Sequence, residues 1–479
     1  MFKRSFALIL SMIMVIGLLA GCSPAETPKK EVVEKSYDVV VVGAGAAGLA
    51  AAIEAAEKGA TVAVLEKMPM VGGSTVLSGG IVYATGSTIQ KNFGVEDSVA
   101  DLVAYWSERA EGNVDTTQLE FVAERSGATI DWLVDLGVEF GDPTPTGTSP
   151  VLRAHTSPNH GDGIIKPLKT YADSKNVEFF LQTSATELMI DANGDVIGVK
   201  ALDKDKNEMA FSAKSVIMAT GGFDRSTELV KTYAPIAEGQ TSFAGTGNTG
   251  DGMTMAVSAG AEVVSKGGVI GFRTVENEPA YTTEVCMLMW MPYLSVNTLG
   301  ERFVNEAIDY PLFYESLVKQ PEGISYLIFD GSTYQPALDK AVEKGSAFVA
   351  DSLEDLAKQA GIDADAFVNT VAEYNTMIES GVDTEFGKSV VGHSKVETGK
   401  FYALKVLPAT LGTMSGVKTD LDTQVLTKEG TAIKGLFAAG EVANGDFFYQ
   451  VYPASGSSIQ MSLTFGRVAG TKAAEYAGK

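Results

Sequence analysis

The sequence predicts an α/β fold opened by a βαβ unit, and three features in order support this. Tyr37-Asp-Val-Val-Val-Val is an apolar strand that enters the glycine turn Gly43-Ala-Gly45-Ala46-Ala47-Gly48. An Ala-rich helical stretch follows as far as Gly59, and Thr61-Val-Ala-Val-Leu-Glu66 is a second apolar strand tipped by an acid. Glycines at the turn let the backbone approach a pyrophosphate, which sits on the positive N-terminus of the helix starting near Ala46. Glu66 falls 23 residues after Gly43, where a carboxylate accepts hydrogen bonds from a ribose. Strand, glycine turn, helix, strand and acid together describe a Rossmann-like dinucleotide site.

At 479 residues and 45% hydrophobic content the chain can bury a large core, and its length favours two or three domains. Lys3 and Arg4 precede an apolar run from Phe6 to Leu19, followed by Leu19-Ala-Gly-Cys22. The run is shorter than the roughly 20 residues that span a bilayer, so residues 1–21 read as a lipoprotein signal peptide. Cys22 is then the expected lipidated first residue of an extracytoplasmic, membrane-anchored chain, and residues 22–36 a polar tether. Cys286 is the other cysteine, which excludes a disulfide, a cysteine-ligated iron–sulfur cluster and CxxCH haem attachment; no metal site is expected. Without Lys3 and Arg4 there are 35 basic against 60 acidic residues, a net charge near −25 that repels nucleic acid and anionic membrane surfaces.

After Glu66 and Lys67, the stretch Gly72-Gly73-Ser74-Thr75-Val-Leu-Ser78-Gly79-Gly80 is too glycine-rich for a helix and suits wrapping a flat group. A helical, mixed-charge stretch runs from about Ser98 to Leu136, and strand-like Phe179–Gln182 and Val196–Lys200 lead to Ser215-Val-Ile-Met-Ala-Thr220-Gly221-Gly222. A similar strand-turn recurs at Gly435-Leu-Phe-Ala-Ala-Gly440-Glu441. Between them, residues 265–402 change texture to Met, Tyr and charged helices, which reads as an inserted α+β domain capping a first domain made of 37–264 and 403–479. Gly245-Thr-Gly247-Asn-Thr-Gly250 also fits GxGxxG, but it lacks a good preceding strand and a following acid-tipped strand. It reads as the N-terminus of a helix from Asp251, so no separate nicotinamide site is expected, and electrons must come from another protein or a membrane carrier.

The glycine turn with Glu66, the Gly72–Gly80 loop, Ala219-Thr-Gly-Gly222, Ala438-Ala-Gly-Glu441, Arg302-Phe-Val-Asn-Glu306 and Thr464-Phe-Gly-Arg-Val-Ala-Gly470 resemble the flavoprotein subunits of the fumarate reductase and succinate dehydrogenase superfamily. That resemblance implies FAD in the first domain, a cap over the flavin ring and substrate between the two. By motif it assigns Gly43, Gly45 and Gly48, with Ala46 and Ala47 between them, to the pyrophosphate and Glu66 to the adenosine ribose, and it counts Lys67 among the cofactor-binding residues. Gly73, Ser74, Thr75, Ser78, Gly79 and Gly80 would lie along the flavin; Thr220, Gly221, Gly222 and Asp251 complete the cradle. Glu441 would meet the ribityl chain, and Ser457, Ser458 and Ile459 would present a helix N-terminus to the flavin N1–C2=O edge, stabilising reduced flavin. Ser74 stands where relatives carry the histidine that bonds FAD covalently, so non-covalent FAD is implied.

The chain departs from the fumarate-reducing pattern at the substrate. Tyr310 falls four residues beyond Glu306, where those relatives place a proton-donating arginine; Gly412 replaces a substrate histidine, and Pro453 a late arginine. Each lost cation would cost about 2–5 kcal/mol of carboxylate binding. Tyr452-Pro-Ala-Ser-Gly456 instead resembles the Tyr-Pro-x-x-Gly of ketosteroid dehydrogenases, which also place a tyrosine at the Tyr310 position. The resemblance implies hydride transfer between flavin N5 and the β-carbon of an alkene conjugated to a carbonyl, with Tyr310 moving the α-carbon proton and Tyr452 O–H with Gly456 N–H polarising the carbonyl. Reduction of a small unsaturated substrate is the expected direction. The alternatives are a ketosteroid-type dehydrogenase, a reductase of an unsaturated acid such as fumarate or urocanate, and a non-catalytic lipid-anchored binding protein. His155 reads as structural and His393 as a surface residue.

Overall fold

The computed structural model describes residues 32–479. The expected signal peptide, Cys22 and the tether as far as residue 31 lie outside them. The central strand Val33–Val42 begins inside the stretch read as tether: Val33 pairs with Met209, because Glu34 to Ser36 form the exposed end of a strand where polar residues are tolerated. Val62–Glu66 and Glu208–Met218 flank it in parallel, Val39 facing Val62 on one side and Ser215 on the other. With both faces covered, Val39 to Val42 are continuously apolar and buried. Glu178–Leu181 extends the sheet beyond Val62–Glu66, Ala432–Ala438 and Gln424–Leu426 extend it beyond Glu208–Met218, and an antiparallel pair, Ser184–Ile190 and Val196–Leu202, joins the latter strand.

Helix Ala46–Glu57 is Ala-rich because a second helix, Ser457–Tyr476, lies almost upon it. A Cβ at Gly466 or Gly470 would land on the backbone of Ala47 or Ala51, so the glycines of the late motif are spacers for helix contact. The stretch expected to be helical from Ser98 is two helices, Val99–Arg109 and Thr116–Asp135, each N-capped by an oxygen, from Ser98 and Asp115. His155 lies in the small sheet formed by Ile81–Tyr83, Thr144–Thr146 and Ser149–Thr156. It is fully buried between Ser87 Oγ (2.8 Å) and the Arg153 carbonyl (3.0 Å), and burial lowers its pKa.

The crossing into the cap is a long antiparallel pair, Val263–Val275 and Phe401–Val417, with Val263 opposite Val417 and Val275 opposite Val406. The expected boundaries at 264/265 and 402/403 therefore fall within continuous strands rather than in linkers. Ser325–Phe329, Ser295–Asn297, Ala347–Ala350 and the short Thr241–Ser242 complete this sheet, with helices Leu353–Ala360 and Ala364–Ser380 packed beside it. Arg302 of the Arg-Phe-Val-Asn-Glu motif holds Glu306 at 3.0 Å and Asp383 at 2.7 Å, and Lys388 reaches Glu306 at 3.0 Å. This buried network fixes the turn that leads to Tyr310. His393 is half-buried beside it with Nδ1 unpartnered, which differs from the surface position expected. Among the described residues no helix is long and apolar enough to cross a membrane.

Gly470→Val should lower stability by about 1–3 kcal/mol through overpacking against Ala51. Thermal denaturation reads this directly; an unchanged Tm would mean the two helices can separate without cost.

Candidate active site

A cavity of about 710 Å³ runs from the tip of the second strand to the seam between the domains. At its first end the Glu66 carboxylate accepts the N–H groups of Ala44 at 2.9 Å and Met68 at 2.8 Å, so this acid also pins the two loops that meet there. Lys67 Nζ, beside it, is bound to Asp251 at 2.6 Å and Thr249 at 2.5 Å.

Most of the sequence-assigned residues share this one wall. Gly43, Gly45, Ala46 and Ala47 line it at the helix N-terminus, where the first-turn N–H groups have no partner within the helix. Gly73, Ser74, Thr75, Ser78 and Gly79 line the next stretch; Thr220, Gly221, Asp251 and Glu441 face them; Ser458 and Ile459 close the far side. Gly48, Gly80, Gly222 and Ser457 stand behind the wall instead. A side chain at Gly48 would strike the Gly43 carbonyl, at Gly80 the backbone of His160, and at Gly222 the Glu441 carboxylate. Ser457 is fully buried and returns its hydroxyl to the Ala454 carbonyl at 2.8 Å. The Ser458 N–H is likewise taken, donating to Tyr452 Oη at 2.8 Å.

The loop 245–248, set aside from the sequence, lines the same cavity. Ser74 Oγ accepts the Gly245 N–H at 3.0 Å, and Asn248 Nδ2 reaches Glu441 Oε2 at 3.4 Å. Its glycines were a usable signal; only the missing flanking strand and acid argued against it.

Glu441 is buried, with Thr413 N–H donating to Oε1 at 2.5 Å and Thr413 Oγ1 at 3.1 Å. A Cβ at Gly412 would lie 2.7 Å from the same oxygen, so no histidine could stand there without displacing Glu441. Among the described residues no cation pairs with Glu441 or with neighbouring Asp224. Burial, then the Asp224 charge, pushes the Glu441 carboxyl up to about 8.

At the domain seam Tyr310 begins helix Tyr310–Leu317, capped by Asp309. Asp309 also accepts Thr146 Oγ1 (2.6 Å), Gly147 N–H (2.9 Å) and Ser455 Oγ (2.9 Å), so one cap carboxylate is tied to two loops of the first domain. Tyr310 and Tyr452 both line the cavity here, and Gly456 lies beside them in the left-handed conformation at φ 92°. Burial first, then the neighbouring Tyr452 and Asp309, raises the Tyr310 pKa well above the ordinary tyrosine value. Burial likewise raises Tyr452, opposed by the N–H groups of Ser458 and Gly456 at its oxygen. Among the described residues, Lys67, at the opposite end, is the one basic residue of the lining. Arg273 is buried behind it, stacked 3.9 Å from the Phe313 ring centroid.

A family model described as an FAD binding domain matches residues 38–459. The chain belongs to this family. It is 32% identical over 462 residues to the fumarate reductase (cytochrome) of Shewanella frigidimarina, covering 93% of this chain and 78% of that protein. It is also 32% identical over 463 residues to the NADH:fumarate oxidoreductase of Klebsiella pneumoniae, covering 95% of this chain but only 49% of that protein. Among solved structures it matches the 3-ketosteroid-Δ4-(5α)-dehydrogenase of Rhodococcus jostii with a TM-score of 0.76 and 26% identity, over 94% of this chain and 99% of that one. It is an FAD-dependent oxidoreductase of the fumarate reductase and succinate dehydrogenase flavoprotein superfamily.

The cavity fits FAD. Thr220 Oγ1 is buried in the wall with no hydrogen-bond partner in the protein, the helix end at Ala46 offers free N–H groups, and Gly43 and Gly48 keep the turn flat. The carboxylates of Glu66 and Glu441 stand at separate points along the cavity, suited to hydroxyls of a long ligand.

Because folding raises the Glu441 pKa, its neutral form is the stable one. Stability is then present below the ordinary carboxylate value, about 4.3, and lost as pH rises towards about 8. Glu441→Gln keeps the shape without the charge, so the FAD-free variant should gain in Tm relative to the FAD-free parent between pH 5 and pH 8.5. Parallel Tm curves would contradict the assignment.

Proposed function

We propose that this oxidoreductase reduces a carbon–carbon double bond conjugated to a carbonyl, with Tyr310 delivering the α-carbon proton and Tyr452 holding the carbonyl oxygen. The observation behind this reading is that Tyr310 and Tyr452 line one cavity at the domain seam, where among the described residues no lysine or arginine joins the lining. FAD, when bound, supplies the hydride for the β-carbon.

The residues divide the remaining work. Tyr452 accepts the Ser458 N–H at 2.8 Å, which draws electron density from its oxygen and makes its O–H a better donor to a carbonyl. As the carbonyl oxygen gains negative charge, that bond strengthens; such donors are worth about 2.7–4 kcal/mol of barrier. Tyr310, like an ordinary tyrosine, carries its proton at neutral pH, and burial holds that proton more firmly still, so the group enters the reaction as an acid. Asp309 fixes the helix start from which Tyr310 projects. The relatives matched include fumarate reductases, which supports a small unsaturated substrate and an external electron carrier.

Tyr310→Phe keeps the ring and removes the proton. Single-turnover reoxidation of the reduced holoenzyme by a conjugated carbonyl should slow by roughly 10²–10⁴, with FAD content unchanged. An undiminished rate would mean that another group protonates carbon, while rapid turnover of fumarate with low KM would restore a dicarboxylate site.

We further propose that the chain is lipid-anchored outside the cytoplasm through Cys22, on the strength of Leu19-Ala-Gly-Cys22 behind its apolar run. Cells given labelled palmitate should mark the parent chain and not Cys22→Ala; an unlabelled parent would refute the anchor.

A further inference from the structure

The substrate half of the cavity has a wall that the reaction itself does not require. Phe272 sits at the centre of a set of rings, with Tyr310 at 5.4 Å, Trp290 at 5.6 Å, Tyr281 at 5.9 Å and Phe243 at 6.1 Å between centroids. All five line the cavity, and their interplanar angles run from 58° to 82°. Rings so inclined offer both edges and faces to a ligand, and a flat π-system gains from either, whereas an alkyl chain gains burial alone. Phe243 and Phe272 are buried, while Trp290 is 36% exposed, so the box opens from a closed floor towards solvent. Its inner corner is Tyr310.

Resting on the reaction proposed above, we infer that the substrate is an uncharged aryl-substituted conjugated carbonyl whose ring lies in the box of Phe243, Phe272, Tyr281 and Trp290. The carbonyl then faces Tyr452, and the alkene lies between that group and the box, beside Tyr310. A free carboxylate at the carbonyl position is disfavoured because, among the described residues, no lysine or arginine lines the cavity there: Lys67 is at the opposite end and tied to Asp251, and Arg273 lies behind the aromatic wall, stacked on Phe313 and Trp290. The aromatic side chains thus select the body of the substrate, and the tyrosine hydroxyls its reacting group.

Binding and turnover test this separately. The oxidised holoenzyme is titrated with 4-phenylbutan-2-one and with pentan-2-one, read by the flavin absorbance change, and the reduced holoenzyme is mixed with 4-phenylbut-3-en-2-one and pent-3-en-2-one. The aryl ketone should bind at least tenfold more tightly than the alkyl one, and the aryl enone should show the higher kcat/KM. Trp290→Ala should cut the aryl-over-alkyl binding ratio at least fivefold and Trp290→Phe should retain most of it, each variant being checked for a full complement of FAD. Equal binding of the two ketones, or a ratio untouched by Trp290→Ala, would overturn the inference. A preserved aryl preference without turnover of either enone would support the box and sink the reaction assigned above.

Discussion

Everything at this site depends on holding two domains in register, and the Asp309 carboxylate is the tie. It caps the helix carrying Tyr310 and accepts hydrogen bonds from Thr146, Gly147 and Ser455 of the opposite domain. No cation shares in this junction among the described residues; neutral donors satisfy the charge, each such bond being worth about 1.5–3 kcal/mol. Tyr310, the proposed proton donor, therefore stands on the cap, while the loop carrying Tyr452 and Gly456 belongs to the first domain. A shift of the seam by one ångström would separate them, and geometry of this kind is what a catalytic group needs most.

Close backbone approach is the second constraint. Gly43 and Gly48 let the turn and the helix it enters fold against each other, and Gly466 and Gly470 bring the last helix onto the first. Gly222 and Gly412 serve a different purpose, packing against the carboxyl of Glu441 from two sides. Burial, then the Asp224 charge, drives that carboxyl towards its neutral form against its Thr413 donors, and among the described residues no cation pairs with it. A neutral acid can donate as well as accept, which a ligand rich in hydroxyls can use.

The divergence from fumarate-reducing relatives has a physical basis at the same places. Gly412 cannot carry a histidine while Glu441 occupies its present position, and Pro453 buries its carbonyl under the Tyr105 hydroxyl at 2.8 Å. Where a dicarboxylate would need guanidinium and imidazolium groups, this cavity presents phenol hydroxyls and aromatic rings. Arg273 is stacked on Phe313 and Trp290 behind the aromatic wall, and desolvation by burial lowers its pKa to about 10. Similar folds with different side chains at the seam can thus select against or in favour of a charged substrate.

The βαβ unit, the glycine turns and the pair of strand-turn motifs are legible in the sequence alone. Each rests on local rules of hydrophobic run length and backbone freedom that need no partner to be legible. It also offered Tyr310 and Tyr452 as candidates, through the resemblance of their motifs to those of ketosteroid dehydrogenases. Which glycines line the cavity and which only let backbone pass behind it, Gly43 against Gly80 or Gly222, was decided by tertiary contacts. So was the enlistment of the 245–248 loop, whose role comes from packing against Ser74 and Glu441 rather than from any strand beside it. Asp309 and the aromatic box gave no local signal: an aspartate before a helix reads as a cap, and scattered Phe, Tyr and Trp read as core. Only the folding of distant segments onto one seam turned the first into an interdomain tie and the second into a wall of the cavity.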